Sequence, residues 1–521
     1  MNESATSAPP KGVLAWIERV GNRLPDPVFI FVWLIAGLIA FSVFASLAGL
    51  SVLHPTEKGP GGVPVTVTAA SLLSAKNVQK LWVEMPQTFA SFHPLGMVLV
   101  VMLGAGVADR SGFFSAGMRA MVRIAPKALL TPVVTLVAIL AHMAADAGYV
   151  VLIPMAGILY AAAGRHPILG IVAAFAGVSG GFSANLLPGQ LDALLFGITE
   201  AAAETIAPKW DANIAGNWYF IVGMTAFFLP VIWWVTDRIL EPRLGPYVPE
   251  GQDPLSAGSN DSEYTPEQRR GLRASGFAAL GVIALWSLMV FGPGTALVDE
   301  AAKPEARLSP FYKSLIGGFF VLFLACGWAY GAKAGTIRSH RDVVKMMSEG
   351  MGELAYYLVL AFAAAHFVAM FNWSNLGLIF AVNGANGLKA LALPAPILMA
   401  MLVLMSSFVD LVVGSASAKW AFMAPVLVPM FMLIGISPEM TTAAYRVGDS
   451  VTNIVTPLMV YFPLVLTFCQ RWKKDFGIGS LTATMTPYAT GLMIVGLLQT
   501  ILWVWLDIPL GPGAHVHYPP R

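Results

Sequence analysis

Residues 177–185 read GVSGGFSAN and residues 448–456 read GDSVTNIVT, and both stretches interrupt long apolar segments with glycine, serine and asparagine. The second stretch lies 271 positions after the first, and the same shift superimposes helix-breaking residues without a gap. It places Tyr149, Pro154, Gly164, Pro167, Gly177 and Ser179 on Trp420, Pro425, Gly435, Pro438, Gly448 and Ser450. Paired segments of this kind are typical of secondary transporters built from repeats, whose binding sites lie where helices are interrupted at mid-membrane.

The composition indicates a membrane protein. Of 521 residues, 57% are apolar and only 12% are charged, whereas soluble proteins average roughly 25% charged residues. The net charge of +2 gives no reason to expect a nucleic-acid partner, and the expected surroundings are a lipid bilayer. Cys326 and Cys469 lie in or beside apolar segments, so no disulfide framework is implied. We therefore predict an all-α polytopic membrane protein without a removable signal peptide.

Apolar segments of about 20 residues predict the transmembrane helices. Lysine and arginine in the short loops place the N-terminus in the cytoplasm and the C-terminus in the periplasm. A polar external loop is expected at 51–90 and an external amphipathic stretch at 373–391. The nine predicted spans are 27–50, 92–109, 167–197, 217–237, 272–292, 309–331, 352–372, 439–468 and 485–506.

Two further apolar segments are interrupted at their centres. Residues 128–163 begin and end on the basic side and break near Asp146, whereas residues 392–435 break at 414–417 and are entered from outside. Interrupted backbone at membrane depth is tolerated where it is buried in protein or lines a cavity. Both segments are therefore predicted to be re-entrant hairpins, and their orientations are opposed.

These opposed hairpins predict two inverted repeats. The first repeat covers 1–237, a hydrophilic cytoplasmic linker covers 238–271, and the second repeat covers 272–521. Each predicted hairpin is followed by a helix that breaks at its centre. The predicted broken helices are 167–197 and 439–468.

Polar side chains cluster at these breaks, and polar groups at membrane depth are costly and usually functional. Arg446 can hold a carboxylate through two hydrogen bonds, Trp420 offers a face to an aromatic ring, and Asn185 is placed for cation or substrate contact. The candidate ion-coupling residues are Asp192, Asp449, Asp146, Ser183, Ser450 and Asn453. Oxygen ligands suited to Na⁺ occur at Asp146, Ser183, Asn185, Ser415, Asn453 and Thr456.

Each candidate also has a purely structural interpretation. Arg446, Asp449 and Asn453 lie at i, i+3 and i+7, so Arg446 and Asp449 are able to neutralise each other on one helical face. Asp192 is either an ion carrier or a buried structural acid. The structural interpretations of the remaining residues are helix caps at Asp146, Ser183 and Asn185, a core histidine at His142, packing of Trp420 against Tyr149, and an ion pair between Lys419 and Asp410.

Two short motifs point to different classes of protein. Residues 177–181 match the G-x-S-x-G motif of serine hydrolases, which requires a strand-to-helix turn, and no strand is predicted here. His142 and Asp146 have helical metal-ligand spacing, but two ligands make an incomplete site. We therefore predict that the chain is not an enzyme and has no cofactor apart from a bound Na⁺ or a coupling proton.

The chain resembles the AbgT family of bacterial inner-membrane p-aminobenzoyl-glutamate transporters in GVSGGFSANLLPGQLDALLFGIT (177–199), GSASAKWAFMAPV (414–426) and AYRVGDSVTNIVTPLM (444–459). The resemblance covers nearly the whole chain. It implies a homodimer with nine transmembrane helices and two hairpins per subunit, in an architecture similar to that of divalent-anion/sodium symporters. The resemblance also implies functional roles, including substrate binding, for the residues that match the family's motifs. These residues are Asp192, Ser417, Trp420, Pro438, Arg446, Asp449 and Pro457.

The resemblance and the polar breaks together predict an ion-gradient-coupled secondary transporter. The family is associated with p-aminobenzoyl-glutamate, a folate catabolite, and some members with export of sulfonamide antimetabolites. We expect Trp420 to stack on the aromatic ring that both substrates share and Arg446 to pair with a carboxylate of the glutamate. Protons would couple through Asp192 or Asp449, and Na⁺ through oxygens at the breaks. A transporter of another dicarboxylate or aromatic anion, or a channel-like facilitator, is the alternative function.

Overall fold

The protein is described by a computed structural model. Three of the candidate residues, His142, Asp146 and Pro457, lie outside the described residues. The structure describes residues 27–58, 64–123, 126, 129–141, 148–245, 265–292, 294–301, 307–411, 413–456, 459 and 461–519.

The first half of the chain contains helices and one β hairpin. In chain order these are α1 (Pro27–Leu47), β1 (Ser51–Lys58), β2 (Pro64–Thr68), α2 (Ala75–Ala90), α3 (His93–Arg110), α4 (Phe113–Arg123), α5 (Leu130–Leu140), α6 (Ile153–Ala162), α7 (Pro167–Phe175), α8 (Gln190–Ala203), α9 (Trp218–Trp234) and α10 (Glu241–Leu244). Short π-helical turns precede α6 and extend α7 and α9, at Gly148–Leu152, Ala176–Gly180 and Val235–Leu240.

The second half of the described chain is helical. Its helices are α11 (Pro266–Phe291), α12 (Ser309–Ala334), α13 (His340–Glu353), α14 (Ala355–Trp373), α15 (Leu376–Leu391), α16 (Ala395–Asp410), α17 (Ala416–Met432), α18 (Pro438–Thr452), α19 (Phe462–Gln470) and α20 (Ile478–Trp505).

Seven helical segments of the described chain are long and apolar enough to cross a membrane. Each overlaps a predicted span, and the two remaining predicted spans correspond to broken helices with shorter pieces. The predicted all-helical, multi-span architecture is therefore confirmed. The seven segments are Val28–Leu47, Ala75–Arg110, Trp218–Leu244, Pro266–Phe291, Pro310–Ala334, Ala355–Trp373 and Ile478–Trp505.

Two helices begin earlier than their apolar residues indicate. α11 begins at Pro266, inside the segment predicted as the linker. Thr265 Oγ1 accepts a hydrogen bond from the Gln268 N–H (3.2 Å), and Gln268 Oε1 accepts one from the Thr265 N–H (3.3 Å). Such a capping box starts a helix at a polar turn. α20 likewise begins at Ile478 rather than at 485.

The segment 51–90 is not a loop, which corrects the prediction for this region. β1 and β2 pair antiparallel, with Val52 opposite Val67. Both valines are half-buried whereas Leu53 and Thr66 are exposed, which is the period-two pattern of strands. Asn375 Nδ2 donates a hydrogen bond to Thr68 O (2.8 Å) and so ties this hairpin to the turn between α14 and α15.

Two amphipathic helices, α4 and α13, lie between the segments predicted to enter the membrane. α13 starts where Asp342 Oδ2 accepts hydrogen bonds from the Arg338 and Ser339 N–H groups, both at 2.8 Å. These donors hold the pKa of the Asp342 carboxyl below its usual value. Arg110 Nη1 lies 3.1 Å from Glu349 Oε2 and links α3 to α13.

Both predicted broken helices are interrupted in the structure. α7 and its π-helical turn end at Gly180, and α8 begins at Gln190. α18 ends at Thr452, and α19 begins at Phe462. The segment 392–435 divides into α16 and α17, whereas the centre of 128–163 lies outside the described residues. Non-helical backbone therefore lies between α7 and α8, between α16 and α17, and between α18 and α19.

Glycines mark a close approach of each broken helix to a neighbouring helix. A Cβ added at Gly177 would lie 2.5 Å from Ala138 Cβ on α5, and one added at Gly448 would lie 2.3 Å from Val403 O on α16. Neither distance leaves room for a side chain, so both contacts require glycine. α7 with its π-helical turn is thus held against α5, and α18 against α16.

Candidate functional site

The non-helical segment after α7 contacts α18 near the C-terminal end of that helix. The Ser183 N–H donates a hydrogen bond to Ser450 Oγ (3.0 Å), and Ser450 Oγ–H donates to Arg446 O (2.8 Å). All three residues are buried. We call this contact between the two broken helices the crossing.

Arg446 and Asp192 form a buried ion pair at the crossing. Arg446 Nη1 lies 2.6 Å from Asp192 Oδ1, with 1% and 5% of the two side chains exposed. Asp192 Oδ2 also accepts a hydrogen bond from the Gly189 N–H (2.7 Å) and so caps α8. Asp192 therefore occupies the N-terminal end of α8, where the helix dipole favours a negative charge.

The predicted pairing of Arg446 with Asp449 is wrong. Among the described residues, the ion pairs of Asp449 and Arg446 are with Lys419 and Asp192, respectively. Helical spacing makes Arg446 and Asp449 neighbours, but it carries no information about charges on the helices around them. Both side chains instead reach partners on elements far away in the sequence.

Lys419 lies between two carboxylates on neighbouring helices. Its Nζ pairs with Asp410 Oδ1 and lies 2.6 Å from Asp449 Oδ1, and no side chain of the three is more than 2% exposed. Thr452 Oγ1–H donates to Asp410 Oδ2 (2.6 Å), and Tyr445 Oη–H donates to Asp449 Oδ1 (3.2 Å). We call Asp410, Lys419 and Asp449 the triad. The predicted Lys419–Asp410 pair is confirmed, but the sequence did not indicate that Asp449 joins it.

Trp420 is fully buried in protein. Its ring stacks on Tyr445 with 4.4 Å between centroids. Its Nε1–H donates to Thr199 Oγ1 (2.9 Å), which lies 2.8 Å from Thr442 Oγ1. The predicted packing against Tyr149 is wrong, because Tyr149 stacks on Tyr461 (4.2 Å). One face of Trp420 is therefore covered by Tyr445.

Three polar atoms at and beside the crossing are buried without a hydrogen-bond partner in the described part of the chain. They are Arg446 Nε, Ser179 Oγ and Ser183 Oγ. Buried polar groups in folded proteins are nearly always paired. These atoms are therefore available to a bound substrate, ion or water.

Two further predicted residues act locally in this conformation. Asn185 Oδ1 accepts hydrogen bonds from the N–H groups of Leu186 (2.8 Å) and Leu187 (3.4 Å) in the non-helical segment before α8. The predicted helix cap at Asn185 is therefore wrong, because the N-cap residue of α8 is Gly189. Ser183 does not cap a helix through its hydroxyl either, since Ser183 Oγ has no partner among the described residues. Ser415 Oγ caps α17 by accepting from the Ala418 N–H, and it lies 3.4 Å from Ser417 Oγ.

The remaining candidates lie at the ends of α18. Pro438 occupies its first turn. Asn453 is buried directly after its last residue, and Thr456 Oγ1–H donates to Leu411 O (3.4 Å) in the break between α16 and α17. Pro457, Asp146 and His142 lie outside the described residues. Most predicted residues that are described therefore surround the two breaks beside α18.

The hydrolase and metal-site motifs find no support in the described residues. Ser179 lies fully buried in the π-helical turn after α7, not in a strand-to-helix turn. Across the described ranges, no group of three or more His, Cys, Asp or Glu side chains is placed to hold a metal ion.

Apolar spans, interrupted helices and buried ion pairs between them define a multi-span membrane transporter. A soluble protein does not need such long apolar helices, and charges at membrane depth face the protein interior and mark transport pathways. Interrupted helices at repeat interfaces are the usual binding sites of secondary transporters.

The chain belongs to the AbgT putative transporter family, which matches residues 12–518. It is 35% identical over 515 residues to the p-aminobenzoyl-glutamate transport protein of Escherichia coli (strain K12), covering 99% of both chains. The crystal structure of the Alcanivorax borkumensis YdaH transporter is 39% identical with a TM-score of 0.86, covering 94% of this chain and 100% of that chain.

A second solved structure is similar. It is Neisseria gonorrhoeae MtrF, described as illuminating a class of antimetabolite efflux pumps, at 40% identity and a TM-score of 0.87, covering 96% of this chain and 99% of that chain. The family resemblance seen in the sequence is confirmed. The chain is a multi-pass bacterial membrane protein and a transporter, not an enzyme.

Proposed function

We propose that this chain is an ion-gradient-coupled secondary transporter of p-aminobenzoyl-glutamate-like anions and of sulfonamide antimetabolites. The Escherichia coli relative is named for the first substrate, and the Neisseria gonorrhoeae relative is described among antimetabolite efflux pumps. The proposed substrate site is the crossing, bounded by α8, α17 and α18.

The main support for this proposal is that the guanidinium of Arg446 is only partly hydrogen-bonded within the described residues. Asp192 contacts Arg446 through Nη1 alone, and the buried Nε has no partner among the described residues. A carboxylate can accept two parallel hydrogen bonds from an arginine. A glutamate carboxylate that engages Nε would therefore compete with Asp192 for Arg446.

Recognition of the aromatic ring is proposed to involve Trp420. Its ring is linked to the face of α18 that carries Arg446, because Trp420 Nε1–H donates to Thr199 Oγ1, which lies 2.8 Å from Thr442 Oγ1, and Thr442 and Arg446 are i, i+4 neighbours on that helix. Its ring also stacks on Tyr445. Ring binding at Trp420 requires Tyr445 to move, which an alternating-access cycle permits. Sulfonamides have the aromatic amine but lack the dicarboxylate, so Arg446 would separate the two classes of substrate.

Two ion routes are proposed for coupling. A proton would bind Asp192 or Asp449, the buried carboxylates that face Arg446 and Lys419. Na⁺ would bind oxygens at the breaks, among them Ser183, Ser450, Asn453 and Thr456. Transport into proteoliposomes under an imposed pH gradient or Na⁺ gradient separates these routes, and accumulation under neither gradient would contradict active transport.

The topology is proposed to have nine spans and two opposed hairpins in inverted repeats. The boundaries are 1–237, 238–271 and 272–521, with a cytoplasmic N-terminus and a periplasmic C-terminus. The starting prolines and the close-contact glycines, each 271 positions apart, support this division. Both native cysteines are buried, so cysteines introduced at Lys76 and Asp475 report sidedness. Labelling from outside at Lys76 and from inside at Asp475 is expected.

A homodimer is proposed from the family resemblance. α11 exposes a row of apolar side chains, including Phe277, Leu280 and Leu288, which face either lipid or a second subunit. Mass photometry of the detergent-purified protein tests the proposal. A mass of one 55.4 kDa chain at all concentrations would contradict it.

The substrate assignment is tested with Arg446→Ala and Arg446→Lys. In proteoliposomes, Arg446→Ala is expected to lose transport of p-aminobenzoyl-glutamate by about 100-fold, which corresponds to about 3 kcal/mol, while sulfonamide transport falls less. Arg446→Lys keeps the positive charge but cannot form the two parallel hydrogen bonds of a guanidinium. Its transport of p-aminobenzoyl-glutamate is therefore expected to be intermediate. Equal loss for both substrates would argue against Arg446 as the discriminating residue.

A further inference from the structure

The buried charges around α18 do not balance. Five charged side chains on the C-terminal half of α18 and on the elements beside it pair with one another: Asp192, Asp410, Asp449, Lys419 and Arg446. Glu439, in the first turn of α18, belongs to none of these pairs. Three carboxylates and two basic groups leave a formal charge of −1. An uncompensated charge in the membrane interior costs several kcal/mol, so this cluster has room for one additional positive charge.

Asp449 is the carboxylate of the triad with free capacity. Both oxygens of Asp410 are engaged, one by Lys419 Nζ and the second by Thr452 Oγ1. Asp449 Oδ1 receives Lys419 Nζ and Tyr445 Oη. Within the described ranges, no group donates a hydrogen bond to Asp449 Oδ2. A proton added at Oδ2 would neutralise the cluster without breaking any of these contacts.

Lys419 occupies the position where a metal cation would bridge the two acids. Its ammonium contacts one oxygen of each carboxylate, as a hard cation would when held by oxygen ligands. An ammonium on a fixed side chain cannot be exchanged. The space between Asp410 and Asp449 is therefore closed to Na⁺ in this conformation.

The equivalent positions of the first repeat need no charge. Counting back 271 positions places Lys419 on Gly148, Asp410 on Ile139 and Asp449 on Val178, and these three residues are buried in apolar packing. Buried ion pairs are seldom more stabilising than apolar residues of similar volume. The charges of the triad are therefore not needed to build this arrangement of helices.

We propose that Lys419, held by Asp410, is a resident cation in place of a coupling Na⁺, and that Asp449 takes up and releases the coupling proton. The proposal rests on the proposed ion-coupled transport. When Asp449 is protonated, the Asp410–Lys419 and Asp192–Arg446 pairs are each neutral, so the loaded cluster has no net charge. Lys419 is a positioning residue that excludes Na⁺, and Asp449 is the proton carrier.

Additional titratable groups lie on the elements packed around the triad. α18 carries Tyr445, which faces Asp449, and α8 carries Asp192 and the buried Glu200. α14, which packs on α17, carries the buried His366, whose Nδ1 lies 2.7 Å from Phe362 O. A pH dependence assigned to Asp449 must therefore be shown to vanish in Asp449→Asn and to persist in His366→Gln.

The experiment compares the wild type, Lys419→Met and Lys419→Arg in proteoliposomes under separate pH and Na⁺ gradients. The wild type and Lys419→Arg are expected to respond to the pH gradient and not to Na⁺. Lys419→Met leaves two facing carboxylates, so Na⁺ is expected to raise substrate affinity by about 5- to 150-fold, the usual range of coupling between two ligands. A wild type driven by Na⁺, or a Lys419→Met variant without any Na⁺ response, would overturn the proposal.

A second variant covers the case in which Lys419→Met does not fold. Lys419→Met/Asp410→Asn removes the neutral pair as a unit and leaves Asp449 in place, so transport driven by the pH gradient is expected to survive. Loss of that transport in folded protein that still binds p-aminobenzoyl-glutamate would overturn the proposal. If the wild type responds to neither gradient, the proposed function fails instead, which separates the two failures.

Discussion

Two regions of this transporter, α5–α8 and α16–α19, have the same plan but different chemistry. Both contain a helix that begins at a capped proline, is held by a glycine contact and then breaks. The second region carries Asp410, Lys419, Arg446 and Asp449, whereas the first contributes Asp192 to the ion pairs around α18. Arg165, also in the first region, pairs instead with Asp237 and Glu241. Since Arg446 pairs with Asp192, neither region completes the site alone.

Backbone geometry and charge are therefore separable in this fold. Glycine and proline fix where helices begin, approach each other and break, and they recur in both regions. The charged residues of the second region have no counterparts at the matched positions of the first region, and the two regions differ in how many they carry. The breaks therefore provide the place for binding, and the charges of α16–α18 determine what binds there.

The largest expected effect comes from breaking the Arg446–Asp192 ion pair, which joins the two regions. Arg446→Leu leaves Asp192 buried and unpaired, so it is expected to destabilise the protein by about 3–5 kcal/mol. The thermal unfolding midpoint of detergent-purified protein measures the effect. Arg446→Leu/Asp192→Asn removes both charges and is expected to recover most of the loss. Equal midpoints for the single and double variants would mean that the pair does not connect the regions.

The next largest effect is expected from exchanging an apolar and an acidic residue at two positions that the 271-residue shift brings together. Val178 and Asp449 are 271 positions apart, and both are buried. Val178→Asp introduces an unpaired acid and is expected to cost about 3 kcal/mol. Asp449→Val leaves the Asp410–Lys419 pair neutral, so it is expected to cost less stability but to abolish coupling to the pH gradient. The comparison breaks down if Val178→Asp is the better tolerated of the two.

A smaller loss of stability is expected from filling the two glycine contacts. Gly448→Ala brings a Cβ against the backbone oxygen of Val403, and Gly177→Ala brings one against the side chain of Ala138. Overpacking typically costs about 1–3 kcal/mol, measured as a lower unfolding midpoint. Ala138→Gly is expected to offset part of the cost of Gly177→Ala, so that the double variant is more stable than additivity predicts. Strict additivity would show that these two residues do not contact each other.

The smallest expected effect is a pH dependence confined to the first region. His166 caps α7 by accepting from the Ile168 N–H (3.2 Å), whereas Ser437 caps α18 by accepting from the Met440 N–H (3.0 Å). Partial burial, together with the nearby charge of Lys473, lowers the pKa of His166 from its ordinary 6.5. Only the neutral ring accepts this hydrogen bond.

The sign of that dependence follows from proton binding. Because the folded pKa is lower than the unfolded pKa, the unfolded chain binds more protons between the two values. The contribution of His166 is thus complete above pH 6.5 and is lost as the pH falls through the folded pKa. His166→Asn can still cap and does not titrate, so its unfolding midpoint should vary less between about pH 5 and about pH 8. An unchanged slope would assign the pH dependence to different groups.

Local patterns in the sequence were sufficient to predict the spans and the breaks. Long apolar runs and clustered Gly, Pro and Ser depend on neighbours in the chain, as for Gly177–Gly181 and for the segment after Thr452. The β hairpin at 51–68 was missed because its alternation is short, and α4 and α13 were missed because they are not apolar. Helix starts such as Pro266 depend on caps rather than on hydropathy.

The partners of the charged residues were harder to predict. Arg446 and Asp192 are 254 positions apart, and no local spacing reports a contact over that distance. The i, i+3 spacing of Arg446 and Asp449 indicated a pair that does not form, because Lys419 on α17 lies closer to Asp449. The Asp410–Lys419 pair was predictable because both residues flank one break.

Substrate is proposed to bind at the crossing, on charges supplied by α18. A cryo-electron microscopy structure of the full-length protein with p-aminobenzoyl-glutamate bound tests it most directly. Ligand density is expected against Arg446, with a glutamate carboxylate engaging Nε and Asp192 displaced from Nη1. Ligand density elsewhere, with the Arg446–Asp192 pair unchanged, would contradict it.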